Sequence, residues 1–300
     1  MSDPINTTHG RGRVALVTGA AGIIGPTICS ILQRDGWRVA ACDGSEQAFA
    51  HHEKLYARPL EADKRFVTLL KGRESAHTLV RQVEEQLGPI GLLVNNAATN
   101  PRGTTLQELD ETYCQRMLET NLLAPLWLCQ AVEHSLIAQR GSIINISSVR
   151  VCRPGPGAIL YPVTKAALES LTVALAMQLG PRGVRVNAIR IGTVPGPAFM
   201  KPVLEKLPPE TARRLMADIL PRHWANDGEK LSTTGRAGIP ADIAEAVAFL
   251  ASPKAEFFNA AILPLEGGWT YRSDEPPPRE GEWNSQRAVA EWLAREGIAP

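Results

Sequence analysis

The chain has 300 residues, of which 44% are hydrophobic, and a formal net charge of +1. This length is enough for one large domain with a well-buried core. The near-neutral charge gives no basic excess of the kind that nucleic-acid binding requires, and no run of about 18 apolar residues could span a membrane. We therefore expect a soluble protein that binds neither nucleic acid nor a membrane.

The cysteines and the N-terminus indicate a cellular compartment. Five cysteines are present, an odd number without a Cys-x-x-Cys pair. This pattern argues against a disulfide framework or a zinc site, so we expect no metal, and it is typical of a reducing cytoplasm. Residues 1–12 are polar and lack the apolar segment of a secretory signal. We expect a flexible N-terminus on a cytoplasmic protein.

Short apolar runs that are typical of strands alternate with longer segments of helical periodicity. The predicted strands are Arg13–Thr18, Trp37–Asp43, Phe66–Leu70, Leu92–Asn95, Ser142–Ser147, Val184–Ile191 and Ala261–Leu265. The predicted helices are Ile23–Asp35, Ser75–Leu87, Thr112–Gln139, Tyr161–Leu179 and Ala241–Leu250. This alternation implies a parallel sheet that helices cover on both faces. We predict an α/β fold with a doubly wound, seven-stranded parallel sheet in a single domain over residues 13–270.

Two segments interrupt the alternation. Residues 192–235 are rich in proline and contain one helical stretch around Pro208–Leu220. Long insertions at strand ends are often lids or binding loops, so we expect a substrate lid here. Residues 271–300 form a C-terminal extension that begins with a polar, proline-rich stretch and ends in a helical segment, Ser285–Glu296.

A glycine-rich turn, Thr18–Gly25, joins the first predicted strand to the first helix. Glycines here let the backbone approach a pyrophosphate, and the helix N-terminus supplies free N–H groups. The second strand ends at Asp43, whose carboxylate can accept hydrogen bonds from the adenosine ribose hydroxyls and would repel a 2′-phosphate. The positions that could neutralise such a phosphate carry no Arg or Lys; they are Ala20, Ala21, Gly44 and Ser45. The sequence therefore predicts NAD rather than NADP.

Tyr161 and Lys165 are four residues apart, so on a helix they share one face. A lysine ammonium beside a phenol favours the phenolate and lowers a pKa that is ordinarily about 10. Such a tyrosine can act as a general acid or base at neutral pH. Ser148 follows a predicted strand and precedes this helix, so the fold can bring its hydroxyl beside the phenol.

With Asn95–Ala98, Asn121 and Leu263–Gly268, these motifs resemble the short-chain dehydrogenase/reductase family over roughly residues 13–270. The resemblance implies a Rossmann-type dinucleotide-binding domain that transfers a hydride between NAD(H) and a small polar alcohol or ketone. The substrate would be a sugar, polyol, sugar acid or hydroxy acid.

The resemblance also implies roles for individual residues. Tyr161 would be the general acid/base, and Lys165 would lower its pKa and hold the nicotinamide ribose. Ser148 would hydrogen-bond the reacting oxygen, and Asn121 would hold a water that links Lys165 to solvent. The cofactor would contact Gly19, Gly22, Ile24, Gly25, Asp43, Asn96, Ala97, Tyr161, Lys165, Ile191, Gly192 and Val194. The chain departs from the family pattern at Ile23, where glycine is usual, and at Leu69, where aspartate is usual.

The resemblance implies that three loops face the substrate, namely Thr99–Gly103, Val149–Leu160 and Gly192–Lys201. These loops and the strand before the third carry several cations, namely Arg102, Arg150, Arg153, Arg190 and Lys201. Several guanidiniums beside one pocket could clamp a carboxylate or phosphate. An anionic substrate is therefore one hypothesis, and its alternative is that most of these arginines are solvated or paired with Asp and Glu. The predicted substrate residues are Arg102, Arg150, Arg153 and Phe199.

Two other functions stay open at this point. One is a 3-oxoacyl-thioester reductase, against which Asp43 counts because that class usually uses NADPH. The other is a non-catalytic dinucleotide sensor or scaffold, against which the intact catalytic set counts. Helices Thr112–Gln139 and Tyr161–Leu179 are apolar on more than one face, which is typical of buried helices. In the family that the chain resembles these two helices form a dimer interface, so the resemblance implies a homodimer or homotetramer.

Overall fold

The computed structural model describes residues 10–56, 59–99, 105–155, 158–196, 207–215, 232–271, 293–295 and 297. Seven parallel strands form one sheet in the order β3-β2-β1-β4-β5-β6-β7. They are β1 (Val14–Thr18), β2 (Arg38–Asp43), β3 (Lys64–Val67), β4 (Ile90–Asn95), β5 (Ser142–Ser148), β6 (Arg185–Ile191) and β7 (Ile262–Leu265). The predicted doubly wound, seven-stranded parallel sheet is confirmed.

The described helices connect these strands. They are α1 (Gly25–Arg34), α2 (Glu46–Tyr56), α3 (Gly72–Leu87), α4 (Glu111–Leu118), α5 (Ala124–Gln139), α6 (Leu160–Leu179), α7 (Pro209–Arg214) and α8 (Pro240–Ala251). The helix expected around Pro208–Leu220 begins as predicted, but positions 216–220 lie outside the described residues, as does most of Ser285–Glu296. No helix in the described part of the chain is long and apolar enough to cross a membrane.

The core has two layers because successive side chains of a strand point to opposite faces of the sheet. In β1, Ala15 and Val17 belong to one hydrophobic cluster, whereas Val14 and Leu16 belong to the other. The first cluster is closed by α1 and α8, and the second by α3, α5 and α6. Strands buried on both faces must be apolar throughout, which explains the uninterrupted apolar runs in the sequence.

Three elements differ from the sequence prediction. The third strand is Lys64–Val67 and not Phe66–Leu70. It lies at the edge of the sheet, and Leu69 is 60% exposed, so the apolar run there does not mark buried strand residues. The helix Glu46–Tyr56 was not predicted. The predicted helix Thr112–Gln139 is interrupted by a π-helical turn at Glu119–Leu123.

The strand order positions a cleft. From β1 the chain proceeds to β2 and β3 on one side, and then returns to β4, β5, β6 and β7 on the other side. In open parallel sheets of this kind, ligands bind outside the carboxyl ends of the strands where the order reverses. The candidate site is therefore expected beyond the ends of β1 and β4.

Candidate active site

A cavity of about 460 Å³ lies at the carboxyl ends of the central strands. Its lining includes nine of the predicted site residues, namely Gly19, Gly22, Ile24, Asp43, Asn96, Ala97, Tyr161, Lys165 and Ile191. Gly192 and Val194 instead line a neighbouring cavity of about 400 Å³. The fold thus brings the glycine-rich turn and the Tyr-Lys pair, which are far apart in sequence, into one cavity.

The glycine-rich turn is shaped by close backbone contacts. Gly19 has φ +62°, and a Cβ on it would lie 2.7 Å from Cα of Ala97. A Cβ on Gly25 would lie 2.6 Å from Cα of Ala20. These two glycines are therefore required by geometry, and the turn presents a cradle of backbone that a phosphate can approach closely.

Thr18 and Asn96 fix this turn to the end of β4. The Nδ2 of Asn96 donates to the carbonyl oxygens of Thr18 and Gly19, at 2.9 and 3.0 Å. The Oγ1 of Thr18 accepts from the backbone N–H groups of Asn96 and Ala97, both at 3.1 Å. Sequence reasoning did not assign Thr18 a role, although its position at the end of a buried strand was visible.

The Asp43 carboxylate lies beside the glycine-rich turn. Its Oδ2 accepts from the backbone N–H of Ala21 at 3.0 Å, and its Oδ1 accepts from that of Gly44 at 2.7 Å. A carboxylate can accept about four hydrogen bonds, so capacity remains for two ribose hydroxyls. Among the described residues that line the cavity, Lys165 is the only basic side chain of the Lys or Arg type.

Lys165 is buried next to Tyr161 on α6. Its side chain is 2% exposed, and Nζ donates to the carbonyl oxygen of Ile146 at 2.7 Å. Nζ lies 5.9 Å from the centroid of the Tyr161 ring. Burial lowers the pKa of Lys165 to about 8, because desolvation disfavours the charged form. The amine is still mainly protonated at neutral pH and acts as a nearby positive charge.

The two serines at the end of β5 differ in their partners. Ser148 is 7% exposed, and its Oγ accepts from the backbone N–H of Arg150 at 3.2 Å. Ser147 donates from Oγ to Oε1 of Glu169 at 2.7 Å. Glu169 also accepts two hydrogen bonds from Arg190, at 2.9 and 2.6 Å. This bidentate pair removes Arg190 from the predicted set of substrate-facing cations.

Asn121 lies within the π-helical turn and is fully buried. Its Oδ1 accepts from the backbone N–H of Thr99 at 2.9 Å. Its Nδ2 donates to the carbonyl oxygen of Thr99 at 3.0 Å and to Oγ1 of Thr164 at 3.1 Å. The amide side chain therefore ties the loop after β4 to α6, the helix that carries Tyr161 and Lys165.

Of the predicted substrate residues, Arg150 and Arg153 are described, whereas Arg102 and Phe199 lie outside the described residues, as does Lys201. The Arg150 guanidinium lies 5.6 Å from the ring centroid of Trp269. Burial lowers the pKa of Arg150, and the charge of Tyr161 nearby opposes this shift. Arg153 donates to the carbonyl oxygen of Trp269 at 2.7 Å. Sequence reasoning missed Trp269, which follows the Gly267–Gly268 pair and is 8% exposed.

Comparisons with known proteins agree with this geometry. The family described as enoyl-(acyl carrier protein) reductase matches residues 19–270. The chain is 33% identical to acetoacetyl-CoA reductase of Allochromatium vinosum, over 85% of this chain and 98% of the relative. It is 33% identical to L-fucose dehydrogenase of Oryctolagus cuniculus, over 86% of this chain and 84% of the relative.

A solved structure has the same fold. It is a mutant of a Serratia marcescens short-chain dehydrogenase/reductase, with a TM-score of 0.70 and 28% identity, over 87% of this chain and 99% of that one. The chain belongs to the short-chain dehydrogenase/reductase family. Members are oxidoreductases that bind a nicotinamide dinucleotide, NAD or NADP, and act on small molecules. The backbone cradle at Gly19 and the spare acceptor capacity of Asp43 fit such a group.

Proposed function

We propose that this protein is an NAD-dependent dehydrogenase/reductase that transfers a hydride between NAD(H) and a small polar alcohol or ketone. The observation that carries this proposal is that one cavity is lined by the glycine-rich turn and Asp43 together with Tyr161 and Lys165. A dinucleotide is elongated, with its reactive ring far from its adenosine. A cavity that both groups of residues line suits such a ligand.

The choice of NAD over NADP rests on charge. Asp43 lies at the end of β2, against the glycine-rich turn, through its bonds to Ala21 and Gly44. An NADP 2′-phosphate would carry negative charge towards this carboxylate, and neither Gly44 nor Ser45 could neutralise it. The ribose hydroxyls of NAD would instead donate to the remaining carboxylate lone pairs.

The side chains of this protein would transfer the proton and position the substrate. When bound, the nicotinamide supplies or accepts the hydride. Tyr161 would take the alcohol proton during oxidation and return it during reduction. Lys165, a cation at neutral pH, would favour the phenolate form that oxidation requires. The Ser148 hydroxyl would donate to the substrate oxygen and hold it beside the phenol.

The π-helical turn at Asn121 suggests a route for the proton. An i→i+5 turn displaces backbone carbonyls from the regular helical ladder and leaves room for another partner. Because the Asn121 amide is engaged by Thr99 and Thr164, we assign a linking water to backbone carbonyls of this turn and not to the amide. Asn121 would then act by holding the turn in place.

The substrate class is the part of the proposal with two candidates. Arg150 lies beside Tyr161 and Trp269, so its charge favours an anionic substrate such as a hydroxy acid or sugar acid. A neutral sugar or polyol is the alternative, in which Arg150 and Arg153 instead fasten the Trp269 segment to the loop after β5. A 3-oxoacyl-thioester reductase, which similarity to acetoacetyl-CoA reductase favours, remains the rival function.

The experiment is a set of initial rates of NADH formation from NAD, using matched pairs of neutral polyols and their acid forms. Rates confined to acids, with the Michaelis constant raised in Arg150→Met, would support the anionic site. Rates confined to neutral alcohols, unchanged in Arg150→Met, would assign Arg150 to packing. Reduction of 3-oxoacyl thioesters with NADPH, but no NAD-linked oxidation of either class, would favour the rival function.

We also propose a homodimer or homotetramer. On α6 the side chains of Val163, Val173 and Met177 are 56%, 40% and 62% exposed, and a partner helix would cover them. A monomer in light scattering would contradict this.

The division into an N-terminus (1–12), one catalytic domain (13–270) with a lid at about 192–235 and an extension (271–300) stays a prediction. A cytoplasmic location also stays a prediction, which the five free cysteines support.

A further inference from the structure

Glu169 on α6 bonds to two neighbouring strands near the ends that face the cavity. Its Oε1 accepts from Oγ of Ser147 at 2.7 Å and from Nε of Arg190 at 2.9 Å, and its Oε2 accepts from Nη2 of Arg190 at 2.6 Å. Ser147 and Arg190 are Cα partners in the pairing of β5 with β6. One carboxylate therefore joins a helix to a pair of strands, and three hydrogen bonds fix its position.

The bonded residues adjoin the proposed catalytic groups. Ser148 and Ile191 form the next pair in the same register, and both Ser147 and Ile191 line the cavity. Glu169 follows Lys165 by four residues, so the two share one face of α6. The Glu169 carboxylate thus connects the helix that carries the proposed general acid/base to the strand that ends in Ser148.

Two successive residues at the end of β5 bond to α6. The carbonyl oxygen of Ile146 accepts from Nζ of Lys165 at 2.7 Å, and the Ser147 hydroxyl donates to Glu169. Ser147 is 1% exposed and Glu169 is 8% exposed, and a charge-assisted hydrogen bond is strong where water is excluded. Under the proposed function Lys165 holds the nicotinamide ribose, whereas that function gives Glu169 no other task. The Ser147–Glu169 bond can therefore hold the strand end throughout the reaction.

We propose that Glu169 and Ser147 are positioning residues that set the place of the Ser148 hydroxyl relative to the Tyr161 phenol. The inference rests on the proposed function, because it takes Ser148 to hold the substrate oxygen beside that phenol. Such an arrangement tolerates little displacement, since a misplacement of about 1 Å can cost about 10²-fold in rate. Loss of the Ser147–Glu169 bond should therefore slow catalysis without removing a group that takes part in the reaction.

The test compares Ser147→Ala with Ser142→Ala in NAD-linked oxidation of the fastest substrate of the polyol and acid pairs. Ser142 is the matched control at the other end of β5, where it is 3% exposed and donates to the carbonyl oxygen of Arg185, its Cα partner in β6. We expect Ser147→Ala to lower kcat about tenfold and to keep the wild-type dissociation constant for NADH. Ser142→Ala should keep the wild-type kcat. Wild-type kcat in Ser147→Ala, or an equal loss in both variants, would overturn the proposal.

A double-mutant cycle with Ser148→Ala separates positioning from a general loss of structure. If Ser147 acts through Ser148, Ser147→Ala should change kcat by less than about twofold once the Ser148 hydroxyl is absent. The same tenfold loss in both backgrounds would show that Ser147 does not act through Ser148. If Ser147→Ala fails to fold, Ser147→Cys takes its place with the same pattern expected, because a thiol fills the site but is a weak donor.

The two proposals fail differently. If the wild type shows no turnover linked to NAD or NADP, the proposed function falls and the positioning role falls with it. The Ser147–Glu169 bond is then still testable, because Ser147→Ala and Glu169→Gln should together lower the urea midpoint by less than the sum of their separate effects. If the wild type is active and Ser147→Ala matches it, the positioning role alone is wrong.

Discussion

The two halves of the cleft are built from different kinds of contact. Around the glycine-rich turn, the partners are mostly backbone atoms, as where Gly19 lies against Ala97 and Asp43 accepts from Ala21. Around β5, β6 and α6, buried side chains bond to one another, as in the Ser147–Glu169–Arg190 network.

This difference decides which substitutions each half tolerates. A backbone cradle depends on shape, so it accepts unusual side chains such as Ile23 and Leu69 as long as the essential glycines remain. A network of buried polar side chains depends on their chemistry, because an unpaired buried group is costly. We therefore expect single polar substitutions to have large effects in the second half.

The largest expected effect is that of Tyr161→Phe. Removing the phenolic hydroxyl removes the proposed proton donor and acceptor, so kcat should fall by about 10²–10⁴-fold. The ring keeps its place beside Lys165, so NADH should bind with the wild-type dissociation constant. Steady-state rates and fluorescence titration measure the two quantities. Unchanged turnover would exclude Tyr161 as the general acid/base and would favour a dinucleotide sensor.

Glu169→Gln is expected to have the next largest effect. It keeps the shape of the side chain but leaves the Arg190 guanidinium without its carboxylate partner. Breaking a largely buried ion pair costs about 3 kcal/mol of unfolding free energy. Urea denaturation measures this cost. The matched control is Glu245→Gln, whose exposed pair with Arg34 should contribute less than about 1 kcal/mol. Similar costs for the two variants would contradict the claim that burial makes the Glu169–Arg190 pair costly to break.

Lys165→Met tests the burial of the lysine through pH. The pKa of Lys165 is about 8 in the folded protein, against an ordinary value of 10.5 for a solvated lysine, so between these pH values the unfolded chain binds more protons. Unfolding free energy should therefore rise with pH in the wild type relative to Lys165→Met, by about 2–3 kcal/mol across the window. Parallel pH profiles would show that the lysine is not desolvated. Lys254→Met, at an exposed position, is the control.

Much of the fold was predictable because its signals are local. The apolar strands follow from burial on both faces, and the spacing of Tyr161 and Lys165 follows from helical periodicity. The unpredicted helix Glu46–Tyr56 gives a weak signal, since Phe49 and His52 are the two buried side chains among those described in it. The π-helical turn gives no signal in the sequence, because contacts of Asn121 with Thr99 and Thr164, which are distant in the chain, favour it.

The candidate site was predictable as a set of residues but less so as a set of contacts. The sequence groups Arg190 with the substrate-facing cations, but the structure pairs it with Glu169. This pair joins β6 to α6, so no spacing along the sequence could reveal it. The association of Arg150 and Arg153 with Trp269 is equally non-local. Charge on a loop indicates a possible anion site, but only the fold decides which cations are already engaged.

The central claim is that the cleft takes NAD(H) through Asp43, and the most direct measurement is equilibrium binding of NADH and NADPH to the wild type and to Asp43→Asn. We predict that the wild type binds NADH at least about tenfold more tightly than NADPH, a difference of about 1.4 kcal/mol. Asp43→Asn should narrow this ratio, because it removes the charge that repels the 2′-phosphate and weakens the bonds to the ribose hydroxyls. Tighter binding of NADPH by the wild type, or a ratio that Asp43→Asn leaves unchanged, would contradict the account.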